Sequence, residues 1–404
     1  MDLNKKILFL EADPVDMLAK IAIKLREDNY ETHLVTLTSR AALKTEFYKS
    51  AYKSINSFDA KFFKINFRNA PNILLYSLIN IKKILGVSLK INRIKPGLVV
   101  FKSPPNWLGV IAKKVFNCPV IYFPYDIRSD AYNDLVEMKR SGVKNFEIKA
   151  EKYCFEKMDG IMHKGSPIEI VDLNKNILGN VKVSCPVFQM LPYTMRELMV
   201  PINKNKISKK DKEIHLVYAG CVPERKTLAP NIKEILRQKM HIHLYLKQAN
   251  ITREALLKTL WQEHETFKDN PYYHLHDELP QEQLTKELSK YDYGTWLGYY
   301  DSTAKTITRG MGNKFSTYIE AGIPLIQFDN HEYIGELTTR YGTGIIINFE
   351  KLKKLKSILE KTNYAQLIKN ILSAREKLEL NNNMEQIKEF FRKVQNNYYK
   401  KNKK

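Results

Sequence analysis

The sequence predicts an α/β protein built from two doubly wound, Rossmann-like domains. Short aliphatic or β-branched runs alternate with longer stretches of helical period, which is the pattern of βαβ units around a parallel sheet. The same alternation begins a second time near residue 213, after a polar, Lys-rich stretch. A chain of 404 residues also exceeds what one ordinary core accommodates. Two consecutive domains follow from these three observations.

The first series of elements occupies the first 165 residues or so. Its predicted strands are 6–10, 32–37, 61–65, 98–101, 120–123 and 160–163. Each is short and rich in aliphatic or β-branched residues, as expected of buried strands in a parallel sheet. Helical patterns lie between them, near 15–28, 71–86, 105–116 and 146–157.

The second series repeats this rhythm. Its predicted strands are 214–218, 241–246, 273–275, 293–297, 324–328 and 344–347. Its predicted helices are 229–239, 252–266, 281–290 and 314–321, and the pattern after residue 350 is wholly helical. We therefore expect an N-terminal domain over 1–195, a Lys-rich linker over 196–212, a C-terminal domain over 213–380, and a last helix with a basic tail over 381–404.

The composition indicates a globular, strongly basic protein. Hydrophobic residues make up 44% and charged residues 27%, which excludes a disordered or fibrous chain. The formal charge of +22 attracts polyanions, and the candidates are nucleic acid, an anionic membrane surface and phosphorylated substrates. Much of the excess lies in 204–212 and in the tail 400–404, and such runs are most often solvated.

The sequence predicts a cytoplasmic protein that does not span a membrane. Apolar runs such as 97–101 and 119–123 are far shorter than the roughly 18 residues that a span requires. No apolar signal region precedes the first predicted strand. The stretch 73–90 predicts a core helix, and the alternative is a helix that lies on anionic lipid and makes the protein peripheral to the membrane.

The stretch 310–326, which reads GMGNKFSTYIEAGIPLI, is the most informative in the chain. Gly310 and Gly312 allow a ligand to approach the backbone, and Asn313 is a candidate N-cap of a helix that begins at Lys314. The positive amino end of such a helix suits a phosphate group. A tight helix–strand connection without a ligand would explain the same residues.

This stretch resembles the motif of GT-B-fold glycosyltransferases, in which an Asn-Lys pair opens a helix that ends in Ala-Gly-x-Pro before an apolar strand. The resemblance extends more weakly over 213–348. Within it, 216–226 (LVYAGCVPERK) matches the family's layout of a strand, a glycine and a basic pair. The resemblance implies a GT-B fold, with two Rossmann-like domains facing a central cleft and the nucleotide sugar bound by the second.

The resemblance also implies a set of donor-binding residues. Arg225 and Lys226 would neutralise the donor diphosphate, and two fixed cations beside a departing diphosphate lower the barrier on general grounds as well. Thr317 and Arg309 stand where retaining members commonly carry Glu, so the stereochemical course is left open. The donor-binding candidates are Gly220, Arg225, Lys226, His276, Gly312, Asn313, Lys314, Thr317 and Glu320.

The first half is expected to bind the acceptor and to supply a general base. Asp126, after the fifth predicted strand, is the first candidate for that base. Asp13, after the first strand, is the second, and capping of the following helix is an alternative explanation of its presence. His163 and Ser166, at the end of the sixth strand, are candidates for acceptor binding. A satisfied buried histidine would explain His163 equally well.

No metal ion and no cofactor is expected. His274 and His276 share one face of a predicted strand, but a third ligand is not evident. The four cysteines are scattered and form no CxxC pair, which argues against a zinc site or a disulfide framework. We expect all four to be small buried hydrophobic residues.

These patterns predict a glycosyltransferase that moves a sugar from a nucleotide-sugar donor to a saccharide or lipid-linked acceptor in cell-surface glycan synthesis. One alternative is a nucleotide-sugar epimerase or hydrolase on the same fold, which would need more carboxylates in the cleft. The other is a nucleic-acid-binding protein, for which the sequence has no RNP-like, helix-turn-helix or zinc signature. The expected partners are the donor, the acceptor and an anionic membrane surface, without nucleic acid.

Overall fold

The chain forms two compact units. A computed structural model describes residues 4–37, 41–57, 93–125, 127, 142–166, 181–221, 228–247, 253–259, 261–298 and 309–402. Unit 1 contains the described residues up to 191 and those from 383 onward, and unit 2 contains the described residues of 192–382. The predicted strand 61–65 and the predicted helix 71–86 lie outside the described residues.

Unit 1 is built on a seven-stranded parallel sheet. Its strands are β1 (Lys6–Glu11), β2 (Glu31–Thr36), β3 (Ser54–Ser57), β4 (Leu98–Ser103), β5 (Val120–Pro124), β6 (Gly160–His163) and β7 (Val187–Gln189). Their order is β3-β2-β1-β4-β5-β6-β7. The order reverses between β1 and β4, so the carboxyl ends of these two strands form the switch point at which open α/β sheets bind ligands.

The helices of unit 1 cover a sheet that is buried on both faces. They are α1 (Asp16–Glu27), α2 (Glu46–Ala51), α3 (Asn106–Val115) and α4 (Gly142–Lys157). Neighbouring residues on the central strands, such as Val99 and Val100, are equally inaccessible to solvent although they point to opposite faces. Continuous aliphatic runs in the sequence therefore became central strands of a parallel sheet.

Unit 2 repeats the topology with a six-stranded parallel sheet. Its strands are β8 (His215–Gly220), β9 (His241–Leu246), β10 (Tyr273–His276), β11 (Tyr293–Trp296), β12 (Leu325–Phe328) and β13 (Gly344–Ile347). Their order is β10-β9-β8-β11-β12-β13, so the switch point lies between β8 and β11. The carboxyl ends at that point are Gly220 and Trp296.

The helices of unit 2 include two departures from the sequence prediction. They are α5 (Ser208–Asp211), α6 (Leu228–Arg237), α7 (Arg253–Thr259), α8 (His264–Phe267), α9 (Gln281–Leu288), α10 (Lys314–Ala321), α11 (Glu332–Tyr341), α12 (Phe349–Leu352), α13 (Leu355–Lys361) and α14 (Tyr364–Leu378). The single helix predicted over 252–266 is instead the two short helices α7 and α8. Helix α11 was not predicted, although it buries Tyr333, Ile334 and Leu337.

The last helix, α15 (Met384–Asn402), belongs to unit 1. Phe390 stacks on Phe188 with ring centroids 5.2 Å apart, and the Gln395 Nε2 donates to the carbonyl oxygen of Gly97 at 3.1 Å. The chain therefore returns to its first unit after it has completed the second. Neither α15 nor any other helix in the described part of the chain is long and apolar enough to cross a membrane.

The Lys-rich segment before β8 packs on unit 2 instead of remaining fully solvated. The Lys206 ammonium is buried and donates to the carbonyl oxygens of Ser289 and Tyr291 at 2.9 and 2.8 Å. Burial lowers the pKa of Lys206 to about 8. The hydrogen-bonding capacity of two loop carbonyls explains why this lysine is buried where composition predicts a solvated run.

The cysteines differ from the prediction in their exposure. Cys118 and Cys154 are buried, as expected of small hydrophobic residues, and burial raises the pKa of the Cys118 thiol to about 12. Cys185 is partly exposed and Cys221 is exposed, so the prediction was wrong for these two. Cys221 directly follows the end of β8, where the chain leaves the core of the sheet.

Helix α10 is fixed at its carboxyl end. Gly322 is its C-cap in the left-handed region, with φ of 73°. The buried Arg375 guanidinium donates from Nε to the carbonyl oxygen of Ile319 at 2.8 Å and from Nη2 to that of Glu320 at 2.7 Å. A cation at the carboxyl end satisfies the last carbonyls and complements the helix dipole.

We predict that Gly322→Ala destabilises unit 2 by about 1–3 kcal/mol, because a Cβ costs energy in the left-handed region. That Cβ would also lie 2.7 Å from Ile202 Cδ1 and 2.8 Å from Arg375 Nη2. Gly335→Ala is the matched control, because its Cβ would meet nothing closer than 3.4 Å and lies inside α11. The control should be neutral or slightly stabilising. Chemical denaturation of both variants checks this, and equal midpoints would contradict it.

Candidate functional site

The switch point of unit 2 places a lysine next to a glycine. Gly220 ends β8 with φ of 146°, a conformation that favours glycine. A Cβ at this position would lie 2.8 Å from Lys314 Cε and 2.9 Å from Lys314 Nζ. The ammonium group at the first residue of α10 therefore lies directly over the end of β8.

Two aromatic rings flank this ammonium group. Lys314 Nζ is 5.0 Å from the ring centroid of Tyr218 and 5.2 Å from that of Trp296. Both distances are within the range of a cation–π interaction. Tyr218 is on β8 and Trp296 ends β11, so both strands of the switch point contribute to the position of the charge.

Two features of the amino end of α10 bear on ligand binding. Asn313 occupies the N-cap position, as predicted, but its side chain makes no capping hydrogen bond. Its Oδ1 atom is buried and has no hydrogen-bond partner among the described residues. Gly312 packs against the indole of Trp296, where a Cβ would lie 2.8 Å from Cη2. An uncapped helix end next to a lysine has the chemistry of an anion site.

Thr317 lies one turn further along α10 and is held by its neighbours. Its Oγ1 donates to the Asn313 carbonyl oxygen at 3.0 Å and accepts from Gln281 Nε2 at 3.3 Å. The other position at which retaining enzymes commonly carry Glu is Arg309, whose Nε forms an ion pair with Glu332 Oε2 at 2.9 Å. A carboxylate is thus present near the second position, although it comes from α11.

Glu320 was predicted to bind the donor, but the structure does not bring it to the amino end of α10. It is inaccessible to solvent, and its Oε1 accepts from the backbone N–H of Met195 at 2.8 Å. It lies six residues after Lys314, roughly 9 Å along the helix axis. This carboxylate fixes the 192–200 segment to α10.

His276 and the basic pair lie at different places relative to this site. His276 ends the edge strand β10, where its Nε2 is 2.9 Å from His243 Nδ1 and its ring stacks on Tyr245 at 4.5 Å. It therefore lies two strands away from β8, at the end of which Lys314 is found. Arg225 and Lys226 fall outside the described residues, five and six positions after Gly220.

The switch point of unit 1 holds a buried carboxyl group that sequence reasoning did not single out. Glu11 ends β1 and is inaccessible to solvent. Its Oε2 accepts from the Val15 N–H at 3.0 Å, and the Tyr52 hydroxyl is 3.4 Å from its Oε1. Burial raises the pKa of Glu11 to about 8, against the opposing effect of Lys102.

Two buried lysines lie close to one tyrosine ring at the same edge of the sheet. Lys102 Nζ donates to the Asp13 carbonyl oxygen at 2.8 Å and is 4.7 Å from the ring centroid of Tyr125. Lys164 Nζ is 3.4 Å from the same centroid. The strand ends of β1, β4, β5 and β6 thus bring Glu11, Asp13 and two cations to one edge of the sheet.

The acceptor-binding candidates lie at the end of β6. His163 is 4% exposed, and burial lowers its pKa to about 4, so the ring is neutral near pH 7. Its Nδ1 has no hydrogen-bond partner among the described residues. Ser166 is also buried. Asp126, the first candidate for the base, lies outside the described residues, directly after Tyr125.

Solved structures resemble the chain over almost its whole length. Sucrose-phosphate synthase from Thermosynechococcus elongatus has a TM-score of 0.70 and 14% identity, over 96% of this chain and 99% of that one. A glycosyltransferase from Rickettsia africae ESF-5 has a TM-score of 0.61 and 12% identity, over 96% and 98%. The α,α-trehalose 6-phosphate synthase from Burkholderia multivorans has a TM-score of 0.62 and 10% identity, over 96% of each chain. The chain has the GT-B fold.

This likeness confirms the predicted fold, while sequence comparison alone does not find it. No protein-family model and no curated protein matches the sequence. At identities of 10–14% the likeness of the GT-B structures concerns the fold, so the activity is argued from the site. Among the described residues, the arrangement of Gly220, Lys314 and the amino end of α10 is a candidate site for an anionic ligand.

Sequence reasoning missed Glu11, Lys102 and Lys164 as site residues. Each lies at or next to the end of a buried strand, after a run of aliphatic residues. A charged residue at the last position of a predicted central strand is a usable signal, because that position faces the ligand edge of a parallel sheet. The contact of Lys102 and Lys164 with Tyr125 could not be inferred, since it depends on the strand order.

We predict that Glu11 makes unit 1 less stable as the pH rises. A carboxyl group whose pKa is raised in the folded state contributes stability that is fully present below pH 4.5 and is lost as the pH approaches about 8. The free energy of unfolding of wild type relative to Glu11→Gln should therefore fall between pH 5 and 8, by at most about 1.4 kcal/mol per pH unit. Denaturant titrations across this range measure the difference, and parallel curves for the two proteins would refute the assignment.

Proposed function

We propose that this protein is a glycosyltransferase that transfers a sugar from a nucleotide-sugar donor to a saccharide or lipid-linked acceptor. The observation that carries the proposal is the position of the Lys314 ammonium. It lies over Gly220 at the switch point of unit 2, at the uncapped amino end of α10. That combination of backbone N–H groups, helix dipole and fixed cation suits a diphosphate.

The diphosphate of the donor lies between Gly220 and the amino end of α10 in this proposal. Gly220 and Gly312 lack side chains at the points where the backbone must approach the phosphates. Lys314 supplies a compact point charge that is kept in place by Tyr218 and Trp296. In this proposal the cation and the backbone N–H groups bind the diphosphate, and metal independence stays a prediction from the sequence.

The same cation favours the chemical step. A departing nucleoside diphosphate gains negative charge in the transition state, so an ammonium group fixed beside it stabilises the transition state more than the ground state. Arg225 and Lys226 add two cations after Gly220 in this proposal. The nucleobase would lie near 275–279, after the end of β10, as the resemblance to GT-B enzymes implies.

Unit 1 is proposed to bind the acceptor and to supply the base that deprotonates its hydroxyl group. Asp126 and Asp13 keep their order as candidates. Asp13 is supported by its place at the switch point, where Lys102 holds its backbone carbonyl. His163 is a neutral imidazole at the same edge and is a candidate for a hydrogen bond to the acceptor.

Nucleic-acid binding is the alternative that the +22 charge suggests. It requires basic side chains that are exposed along one surface. The cations described at the strand ends instead lie close to aromatic rings, which favours a small anionic ligand. A cytoplasmic location and peripheral contact with anionic lipid stay predictions from the sequence.

We predict that Lys314→Ala weakens donor binding about ten- to a hundred-fold, because a hydrogen bond to a charged group contributes about 1.5–3 kcal/mol. Thermal stabilisation of the whole chain by a panel of UDP-, GDP-, CMP- and dTDP-sugars identifies the donor nucleotide, since a ligand that binds the native state raises its stability. The variant should then need correspondingly more of that donor for the same shift.

Lys361→Ala is the matched control for the loss of one positive charge, because Lys361 is an exposed residue at the end of α13 in the same unit. It should bind the donor as wild type does. Equal donor binding by Lys314→Ala and wild type would remove Lys314 from the site. Steeply salt-dependent binding of DNA or RNA, with no shift by any nucleotide sugar, would favour the nucleic-acid alternative.

We predict that Asp126→Asn lowers kcat by about 10²–10⁴, the contribution typical of a general base, without changing donor-induced stabilisation. Asp13→Asn should lower kcat less if Asp126 is the base. Release of nucleoside diphosphate in the presence of acceptor measures both. The order of the two assignments would reverse if Asp13→Asn alone abolished turnover, and release without acceptor would favour hydrolysis over transfer.

A further inference from the structure

One face of the unit 2 sheet carries five of the nine histidines in the chain. They lie at alternate positions of three neighbouring strands, β8, β9 and β10. They are His215, His241, His243, His274 and His276. The residues between them, such as Leu216, Ile242 and Leu244, point to the opposite face and belong to the hydrophobic core. We call these five residues the histidine cluster.

The rings of the cluster are paired by strand register. His215 and His241 lie side by side with ring centroids 4.2 Å apart and planes within 5°. His243 and His274 repeat the arrangement at 4.3 Å. Ring nitrogens join the pairs diagonally in three hydrogen bonds, which are His215 Nδ1 to His243 Nε2 at 2.9 Å, His241 Nδ1 to His274 Nε2 at 2.8 Å, and His243 Nδ1 to His276 Nε2 at 2.9 Å.

These hydrogen bonds join the rings into two rows, His215–His243–His276 and His241–His274. Each row ends at a carboxylate near the start of β8. His215 Nε2 is 2.8 Å from Asp211 Oδ2, and His241 Nε2 is 2.5 Å from Glu213 Oε2. A carboxylate can only accept, so each Nε2 carries the proton in this state. Two imidazoles and two carboxylates thus meet at one edge of the sheet.

We propose that Asp211, His215 and His241 form a binding site for a divalent transition-metal ion, with Zn²⁺ as the best match. One ligand atom from each of the three lies within 4.8 Å of the others. Imidazole nitrogens and a carboxylate oxygen suit Zn²⁺. Glu213, whose Oε2 is 2.5 Å from His241 Nε2, is the candidate for the fourth ligand. His215 is buried and Asp211 is exposed, so the site opens to solvent on its carboxylate side.

The surrounding residues already form the outer shell that such a site needs. A metal-bound histidine usually donates its other ring N–H to a fixed acceptor. When Nε2 of His215 binds the ion, its Nδ1 donates to His243 Nε2, and Nδ1 of His241 donates to His274 Nε2 in the same way. Each imidazole keeps one proton, which shifts from Nε2 to Nδ1, so the rows stay neutral.

The ion would have a structural role that is separate from the donor site. It would tie helix α5, through Asp211, to the first residues of β8 and β9. Gly220 lies five residues further along β8, roughly 17 Å away along an extended strand. The site is therefore not part of the proposed chemistry, and its test does not depend on transferase activity.

We test the proposal by titrating the metal-free full chain, without an affinity tag, with Zn²⁺ by calorimetry and with Co²⁺ by visible absorption. Wild type should bind one ion per chain, with the intense Co²⁺ bands of a tetrahedral site. The double variant Asp211→Asn, Glu213→Gln keeps hydrogen-bond acceptors but loses both negative charges. It should bind at least about tenfold more weakly, and His243→Gln should weaken binding by about 10–100-fold through the outer shell.

Glu31→Gln is the matched control, because Glu31 Oε1 lies 2.8 Å from His33 Nε2 in unit 1, where the pair has no second histidine beside it in the described sheet. Its affinity for Zn²⁺ should equal that of wild type. Nitrogen-15 NMR of the imidazoles should show that His215 and His241 lose the Nε2 proton in the Zn²⁺ form. Absence of stoichiometric binding, wild-type affinity in the double variant, or retained Nε2 protons would each overturn the proposal.

Discussion

The contact between Lys314 and the end of β8 depends on a helix that is fixed at both ends. At the carboxyl end, Gly322 ends α10 in the left-handed region and Arg375 binds its last carbonyls. At the amino end, the ammonium group of Lys314 lies close to the rings of Tyr218 and Trp296 and next to Gly220. A helix with a free carboxyl end could shift along its axis, and a shift of one residue, roughly 1.5 Å, would remove the ammonium group from its position. The contacts at the carboxyl end of α10 thus help to fix the position of the ammonium group at its amino end.

The same arrangement of α10 explains the position of the Glu320 carboxylate. A carboxylate near a diphosphate would repel it, whereas the same group at the carboxyl end of α10 accepts the Met195 N–H and lies close to the Arg375 guanidinium that caps the helix. The electrostatic interaction with Glu320 opposes the effect of burial on the pKa of Arg375. The residue is therefore explained by packing within unit 2, and sequence spacing alone could not distinguish this from ligand binding.

Elements bounded by glycine and proline were predicted well from the sequence, and elements defined by tertiary contact were not. Helix α10 has the predicted bounds because Gly312, Gly322 and Pro324 mark its surroundings through backbone conformation, which is a local property. Helix α11 has such a marker only at its carboxyl end, where Gly342 is the C-cap with φ of 61°, and its buried residues owe their environment to the strands on either side. The histidine cluster shows the same difference between local and tertiary properties. The alternation of histidines within β9 can be read from the sequence, but their pairing with the histidines of β8 and β10 is set by strand register.

The net charge of +22 indicates no single site, whereas a few lysines have positions that the fold determines. An exposed lysine interacts with a ligand through water and salt, so its effect is screened over roughly 10 Å. Lys102 and Lys164 are buried against Tyr125, and Lys314 lies close to Tyr218 and Trp296, where the local dielectric constant is lower than in water. A charge held in this way costs desolvation, which an anionic ligand offsets when it binds. The basic tails add a diffuse attraction, but recognition of one small anion requires cations whose positions the fold has fixed.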